Sequence, residues 1–261
     1  MKNFNYKSAT NTKEASKLAT GRATFLAGGM SLLPAIKLRL ASYSDLINIK
    51  KIKSLSGIKV SSKSLKIGAT TTHAEVASSK EVLKSIPSLS ALAEGIGDPQ
   101  VRNRGTIGGS IANNDPAADY PSACLALNAT LHTNKRKIQA DKFFKGMFET
   151  DLKKGELIES IEFQVPEKSS YAKYPNPASR YAIVGVYISK LKNEVRVAVT
   201  GAGSFVFRSK EIEAALSKNF SVSAIDNINI SANGLNSDIH ATAEYRAHII
   251  KVMAKKAISN C

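Results

Sequence analysis

Apolar and polar positions along the chain fall into short strand-like and helix-like stretches. Near the N-terminus a helical pattern, TKEASKLA, precedes an apolar strand, TFLAG, a short helix within GMSLLPAIKLRLA, and a further strand, LINI. Amphipathic spacing predicts the helices, and compact apolar runs predict the strands. This order predicts a β-α-β arrangement with a glycine turn after its second strand.

The middle of the chain begins with two predicted strands, IKV and LKIGA, and continues into a helical pattern over residues 73–96. A helix, ADYPSACLALNA, and a strand, TLHT, follow further on. The alternation in ELIESIEFQVP is typical of an edge strand or a half-buried strand.

The last part of the chain follows a connection rich in proline and serine at residues 166–180. Its pattern predicts two strands, YAIVGVYISKL and EVRVAVTGAG, then a helix, SKEIEAALSKN, and a terminal helix. Short strands with interrupted helices indicate an α+β protein. We expect domains at residues 1–55, 56–166 and 167–261.

One segment, residues 97–121, matches neither pattern. GDPQVRNRGTIGGSIANNDPAADYP holds four glycines, three prolines and three aspartates. Glycine and proline mark positions of special backbone geometry, so this density predicts a shaped loop and no regular element.

Composition narrows the class of protein. Hydrophobic residues make up 43% of the 261 positions and charged residues 22%, which is typical of a globular protein. No apolar run approaches the roughly 20 residues that span a bilayer, and the polar N-terminus lacks the apolar region of a secretory signal. We therefore expect no membrane insertion and a cytoplasmic location. Two separate cysteines, Cys124 and Cys261, predict no metal site and no structural disulfide.

The net charge of +16 raises the possibility of nucleic-acid binding. The lysines, however, are scattered singly or in pairs, with no long run and no interleaved aromatic residues. This distribution favours a solvated basic surface over a nucleic-acid site, and it leaves an acidic protein partner open.

Two glycine turns are candidates for ligand binding: AGGMS at residues 27–31 and TIGGS at residues 106–110. Successive backbone N–H groups in such turns can point into one concavity that suits a phosphate. Ser31 could cap a helix that follows the first turn. Each turn alone could equally be a tight connection between packed elements, and neither matches GxGxxG or GxxxxGK[ST].

Acid-base chemistry has little support in the sequence. The four histidines lie in different segments and form no catalytic or metal-binding pattern, so we predict no catalytic residue and no metal ligand. Asp115 is expected to cap a turn, and for Asp119 a helix cap and a contact to a hydroxylated ligand are equally compatible with the sequence. Ligand-shaping loops without acid-base residues suit a protein that holds a reactive cofactor.

The segments AGGMSLLPAIKLRLA, LKIGATTTHAEVA, GDPQVRNRGTIGGSIANNDPAADYP and GELIESIEFQVP occur in this order. With them the chain closely resembles the FAD-binding medium subunit of the molybdenum hydroxylases, the family of aerobic carbon monoxide dehydrogenase and xanthine dehydrogenase. The resemblance implies a vanillyl-alcohol-oxidase-like (PCMH-type) fold, in which two α+β subdomains enclose an FAD cleft and a small C-terminal α+β domain follows. The branch that it resembles most is carbon monoxide dehydrogenase.

The same resemblance implies a cofactor site. Both glycine turns would hold the FAD pyrophosphate through main-chain N–H groups, Asp119 would bind polar parts of FAD, and Ile96 would lie against the adenine. The assignment of Ile158 and Lys173 as cofactor contacts rests on single matched positions and not on a motif. The family often has a polar residue where this chain has Met30. The implied FAD-binding residues are Ala27, Gly28, Gly29, Met30, Ser31, Leu32, Ile96, Thr106, Ile107, Gly108, Gly109, Ser110, Asp119, Ile158 and Lys173.

The resemblance also implies partners and an oxidoreductase activity. A small subunit would carry two two-iron two-sulfur clusters and a large subunit would carry molybdopterin, in a dimer of heterotrimers. Electrons would pass from the clusters through FAD to an external acceptor. The alternatives are a stand-alone FAD-dependent oxidoreductase or FAD-carrier protein, and a basic module for nucleic acid.

Overall fold

Three main β-sheets follow one another along the chain in the computed structural model, which describes residues 2–261. The first sheet has the order β1-β3-β2, with both outer strands parallel to the central one. The predicted β-α-β arrangement is confirmed. Its elements are β1 (Asn5–Ser8), α1 (Thr12–Leu18), β2 (Ala23–Leu26), α2 (Leu32–Lys37) and β3 (Asp45–Asn48).

The second sheet is antiparallel and has the order β4-β5-β10-β6-β7. Its strands are β4 (Ile58–Val60), β5 (Ser64–Gly68), β6 (Thr130–Thr133), β7 (Lys137–Gln139) and β10 (Ile158–Gln164). Of the two alternatives for ELIESIEFQVP, the edge strand is wrong, because β10 is the central strand of this sheet, and the half-buried strand agrees with its mixture of buried and partly exposed residues. Glu159 and Glu162 alternate with its apolar residues, which gave it the sequence pattern of an edge strand.

Helices and a small hairpin surround the second sheet. They are α3 (His73–Ser78), α4 (Lys80–Ser85), α5 (Pro87–Glu94), α6 (Pro99–Arg104), α7 (Ile107–Asn113), α8 (Tyr120–Ala126), α9 (Ala140–Phe143), β8 (Phe144–Gly146) and β9 (Glu149–Thr150). The helical pattern of residues 73–96 is divided into three helices. The breaks lie at Ser79, whose side chain caps α4, and at Ile86, which precedes Pro87.

The expectation of an irregular loop at residues 97–121 is wrong in part, because α6 and α7 occupy most of it. Asp98 caps α6, with its carboxylate 2.8 Å from the backbone nitrogen of Val101, and Pro99 takes the first helical position. Thr106 caps α7, and two glycines fall within its first turn. Residues typical of turns are thus used here as helix starts.

The third sheet has the order β11-β12-β13-β14 and is antiparallel. It comprises β11 (Lys168–Pro175), β12 (Ala182–Lys190), β13 (Val195–Thr200) and β14 (Phe207–Arg208), followed by α10 (Lys210–Lys218) and α11 (Ala243–Ser259). The connection expected at residues 166–180 is in fact mostly strand β11. Its prolines lie at the ends of the strand, where they do not interrupt the ladder.

Both faces of β12 and β13 are covered. Val184 and Val186 pack with α10 and α11 in the C-terminal core. Tyr187 and Ala198 pack into the middle core, which the second sheet and its helices form. The third sheet therefore packs directly against the middle core. The division at residues 55 and 166 remains a prediction.

No helix within residues 2–261 combines the length and the apolar character needed to cross a bilayer.

Candidate cofactor site

The first glycine turn, residues 27–31, follows β2. Gly29 has φ +77°, in the left-handed region that favours glycine. Residue 28 must be glycine for another reason, since a Cβ there would lie 2.2 Å from the carbonyl oxygen of Arg104. The turn therefore presses directly against the chain that leads into α7.

Free donors distinguish this first turn. The backbone N–H groups of residues 28–31 make no hydrogen bond to a backbone acceptor within residues 2–261. Gly28 is buried, whereas Met30 and Ser31 are exposed. A row of unpaired N–H groups at a turn suits an anion such as a pyrophosphate. This observation fits the expected cofactor.

Ser31 lies at the start of α2 but does not cap it. Its backbone is in the right-handed region, and its side chain makes no capping hydrogen bond, so the expected cap is wrong. The Ser31 side chain lies near Tyr181, which follows β11.

The second glycine turn, residues 106–110, is built differently from the first. The N–H groups of Ile107 and Gly108 donate to the carbonyl oxygens of Thr71 and Ala69 at 3.0 and 2.9 Å. The Gly109 N–H donates to the Thr106 hydroxyl at 3.2 Å. The N–H groups of Ile107, Gly108 and Gly109 are therefore not free to bind a phosphate, because all three bond within the chain.

The two turns nevertheless meet. A Cβ on Gly109 would lie 4.0 Å from the Cβ of Ala27, and Gly109 is exposed. Gly108 packs on β5, since a Cβ there would lie 2.5 Å from the Cβ of Ala69. Segments about 80 residues apart in sequence thus come close together in the fold.

Asp119 lies at the start of α8, and only 4% of its surface is exposed. Its side chain does not cap the helix. The Tyr171 hydroxyl donates to its Oδ1 at 2.5 Å, and the Lys173 ammonium lies 3.0 Å from the same atom. Burial raises the pKa of the Asp119 carboxyl, while Lys173 and Tyr171 act in the opposite direction. The helix-cap alternative is therefore wrong.

Lys173 joins Asp119 to the end of α5. Its ammonium also donates to the carbonyl oxygen of Gly95 at 2.8 Å. The half-buried Ile96 comes next in the chain and packs against the middle core. Three of the implied site residues, Ile96, Asp119 and Lys173, are thus brought together.

Ile158 lies in the hydrophobic core instead. It begins β10, is 4% exposed and belongs to the middle core. Asp115 caps a turn as expected, because its Oδ1 accepts the N–H of Ala117 at 2.9 Å.

Two tyrosines near the site were missed by the sequence analysis. Tyr171 bonds Asp119, and Tyr181 lies near Ser31, with a pKa raised by partial burial and by Asp115 and Asp119. The alternation in KSSYAKYP is the signal that could have revealed β11 and so the position of Tyr171.

Comparison with known proteins identifies the family. A family model described as the FAD binding domain in molybdopterin dehydrogenase matches residues 2–167. The chain belongs to this family. FAD is its cofactor, and the chain is the FAD-binding medium subunit of a molybdopterin-dependent oxidoreductase.

Relatives of this FAD-binding family match over nearly the whole chain. The glyceraldehyde dehydrogenase medium chain of Sulfolobus acidocaldarius is 35% identical, and the match covers 97% of this chain and 96% of the relative. A chain in the structure of carbon monoxide dehydrogenase from Hydrogenophaga pseudoflava gives a TM-score of 0.88 at 32% identity, over 99% of this chain and 96% of the other.

A third similarity is to quinoline 2-oxidoreductase from Pseudomonas putida 86, with a TM-score of 0.89 at 26% identity, covering 100% of this chain and 98% of that one. These matches confirm the predicted α+β FAD-binding fold. The relatives are named as medium chains, so each is one subunit of a larger enzyme.

Proposed function

We propose that the surface between residues 27–31 and residues 106–110 holds FAD, and that this subunit passes electrons from its partners to an external acceptor. The observation that carries the proposal is the row of unpaired N–H groups at residues 28–31, which lies directly against the start of α7. FAD, when bound, supplies the redox chemistry. The chain itself supplies binding, orientation and charge.

The two turns have different roles in this proposal. The first turn binds the pyrophosphate through its N–H groups. The second contributes shape, because Gly108 lets the start of α7 pack on Ala69 and Gly109 faces Ala27 of the first turn. Asp119 accepts a hydrogen bond from a ribityl or ribose hydroxyl, and Ile96 lies against the adenine. Ile158 contributes only the position of β10, since its side chain lies in the core.

The partners are proposed in more detail from the family resemblance. We infer a small subunit with two two-iron two-sulfur clusters, a large subunit with molybdopterin, and a dimer of heterotrimers. The relatives are named for glyceraldehyde, carbon monoxide and quinoline, although all share this fold. The substrate is therefore set outside this subunit. The cytoplasmic location and the domain limits stay predictions.

The first experiment is an absorption spectrum of the purified chain with its copurifying subunits, followed by heat release and mass identification of the flavin. We expect about one FAD per chain. Copurification of large and small subunits distinguishes the proposal from a stand-alone flavoprotein, which would be isolated alone with full FAD.

Gly109→Val tests the placement of FAD. The added Cβ would lie 2.8 Å from the Thr106 hydroxyl and 4.0 Å from the Cβ of Ala27, where the two turns meet, so FAD affinity should fall at least about tenfold. Gly146→Val is the control, because a Cβ there would first meet the flexible Glu149 carboxylate, at 3.3 Å, and no atom of either turn within 4 Å. A folded Gly109→Val protein with full FAD would contradict the placement.

A further inference from the structure

Two tyrosines stack across the first two strands of the third sheet, and their hydroxyls bond different partners. Tyr171 and Tyr187 are directly opposite in the β11–β12 ladder, with ring centroids 5.8 Å apart. The Tyr187 hydroxyl bonds the hydroxyl of Ser88 at 2.6 Å. The Tyr171 hydroxyl bonds the carboxylate of Asp119 at 2.5 Å. The pair therefore provides one tyrosine at the implied cofactor site and one matched tyrosine away from it.

The bonds at Asp119 are unevenly divided between its two oxygens. Tyr171 and Lys173 both bond Oδ1. Oδ2 receives no side-chain donor from residues 2–261, and it is not among the fully enclosed polar atoms that lack a partner. With Oδ1 held from inside the protein, Oδ2 is the oxygen open to an incoming donor.

Tyr171 is better placed than Lys173 to fix this orientation. Lysine has a flexible stem, and the Lys173 ammonium divides its donors between Asp119 and the Gly95 carbonyl oxygen. The tyrosine ring is stacked on Tyr187 and closely enclosed, because a Cβ on Gly185 would lie 2.3 Å from its hydroxyl oxygen. Asp119 makes no cap bond that could hold it otherwise.

We propose that Tyr171 is a positioning residue for FAD binding, which holds Asp119 Oδ1 so that Oδ2 accepts a hydroxyl of the cofactor. The proposal rests on the proposed function, since it places Asp119 at the FAD. It adds a role for β11, because a strand of the third sheet then orients an acceptor at the start of α8.

The test compares Tyr171→Phe with Tyr187→Phe in the full-length chain, in the complex with which it copurifies. Each variant removes one hydrogen-bonded hydroxyl from the same stacked pair. The dissociation constant of FAD is measured by flavin fluorescence after the cofactor is removed, and thermal unfolding is measured beside it. We expect Tyr171→Phe to weaken FAD binding about tenfold and Tyr187→Phe less than about twofold, with similar losses in melting temperature.

A double-mutant cycle with Asp119→Asn separates positioning from general stability. If Tyr171 acts through Asp119, Tyr171→Phe should have almost no further effect on FAD affinity once Asp119 is replaced. Gly185→Ala is a second test of the same contact. Its methyl group displaces the Tyr171 hydroxyl without removing it, so this variant should also weaken FAD binding.

Three results would overturn the proposal. Equal FAD affinities of Tyr171→Phe and Tyr187→Phe would show that the hydroxyl has no special role. Additive effects of Tyr171→Phe and Asp119→Asn would show that Tyr171 acts by another route. An Asp119→Asn protein that binds FAD as tightly as the wild type would instead remove Asp119 from the cofactor site, which also contradicts that part of the proposed function.

Discussion

At the residue scale, the glycines of the two turns are required for different physical reasons. Gly29 supplies a positive φ, whereas Gly28 and Gly108 supply the absence of a Cβ where another backbone passes. The sequence indicates that glycine matters at these positions. It does not separate these reasons, because the neighbours of Gly28 and Gly108 come from distant parts of the chain.

His73 shows a second residue-scale effect. It begins α3, is buried, and has an Nδ1 atom without a hydrogen-bond partner in residues 2–261. Its ring centroid lies 5.3 Å from that of Tyr120. Burial, together with the nearby charge of Arg102, lowers the pKa of His73 from 6.5 to about 4. The folded protein therefore keeps this imidazole neutral.

The lowered pKa of His73 predicts a pH dependence of stability. As the pH falls from 6.5 towards 4, the unfolded chain binds a proton that the folded chain refuses, so the free energy of unfolding decreases. By pH 4 this group should account for about 3 kcal/mol. The measurement is urea unfolding at several pH values for the wild type and His73→Phe.

His73→Phe should lack this part of the pH dependence, whatever its stability at pH 7. Other groups that titrate in the same window affect both proteins equally. Parallel stability curves for the two proteins between pH 7 and pH 4 would contradict the lowered pKa.

At the element scale, α7 connects the implied cofactor turn to the β8–β9 hairpin. Asn114 ends the helix in the left-handed region, with φ 44°. Its side-chain amide donates to the carbonyl oxygens of Gly146 and Glu149 at 2.8 and 2.9 Å. The sequence predicts neither α7 nor this contact, because the hairpin partner is more than 30 residues away.

Replacing Asn114 should separate its backbone role from its side-chain role. Asn114→Gly keeps the left-handed conformation but loses both hydrogen bonds, so unfolding free energy should fall by about 1–3 kcal/mol. Asn114→Ala should lose about 1 kcal/mol more, because a Cβ disfavours this conformation. Urea denaturation of the three proteins gives the order. An alanine variant as stable as the glycine variant would contradict the backbone contribution.

At the scale of the whole molecule, Arg196 of β13 fastens the third sheet to the middle of the chain. It is 3% exposed, its Nε donates to the Leu125 carbonyl oxygen at 2.7 Å, and its Nη2 bonds both oxygens of Asp141 at 2.5 and 2.6 Å. Replacing the buried Arg196 guanidinium removes an ion pair and a hydrogen bond to a backbone carbonyl, although Asp141 is 41% exposed and keeps its contact to Arg208.

Arg196→Met should therefore lower the free energy of unfolding by about 2–4 kcal/mol. Lys190→Met is the control on the same sheet. Its ion pair with Glu167 is 3.6 Å long and the two side chains are 44% and 51% exposed, so its loss should cost at most about 1 kcal/mol. Urea midpoints of both variants test the contrast, and equal midpoints would contradict the role of Arg196.

The sequence by itself determined the β-α-β start, most strands and helices, the absence of acid-base patterns, and the family with its cofactor. Local periodicity and contiguous motifs carry that information, because each depends on residues close together in the chain. Only the tertiary structure decided that β10 is central and that β11 is a strand. It alone also shows that the N–H groups of Ile107 and Gly108 donate to distant carbonyl oxygens and that the Tyr171 hydroxyl bonds Asp119. These features depend on contacts between residues distant in sequence, and such partners are chosen by packing and hydrogen bonding in the folded chain.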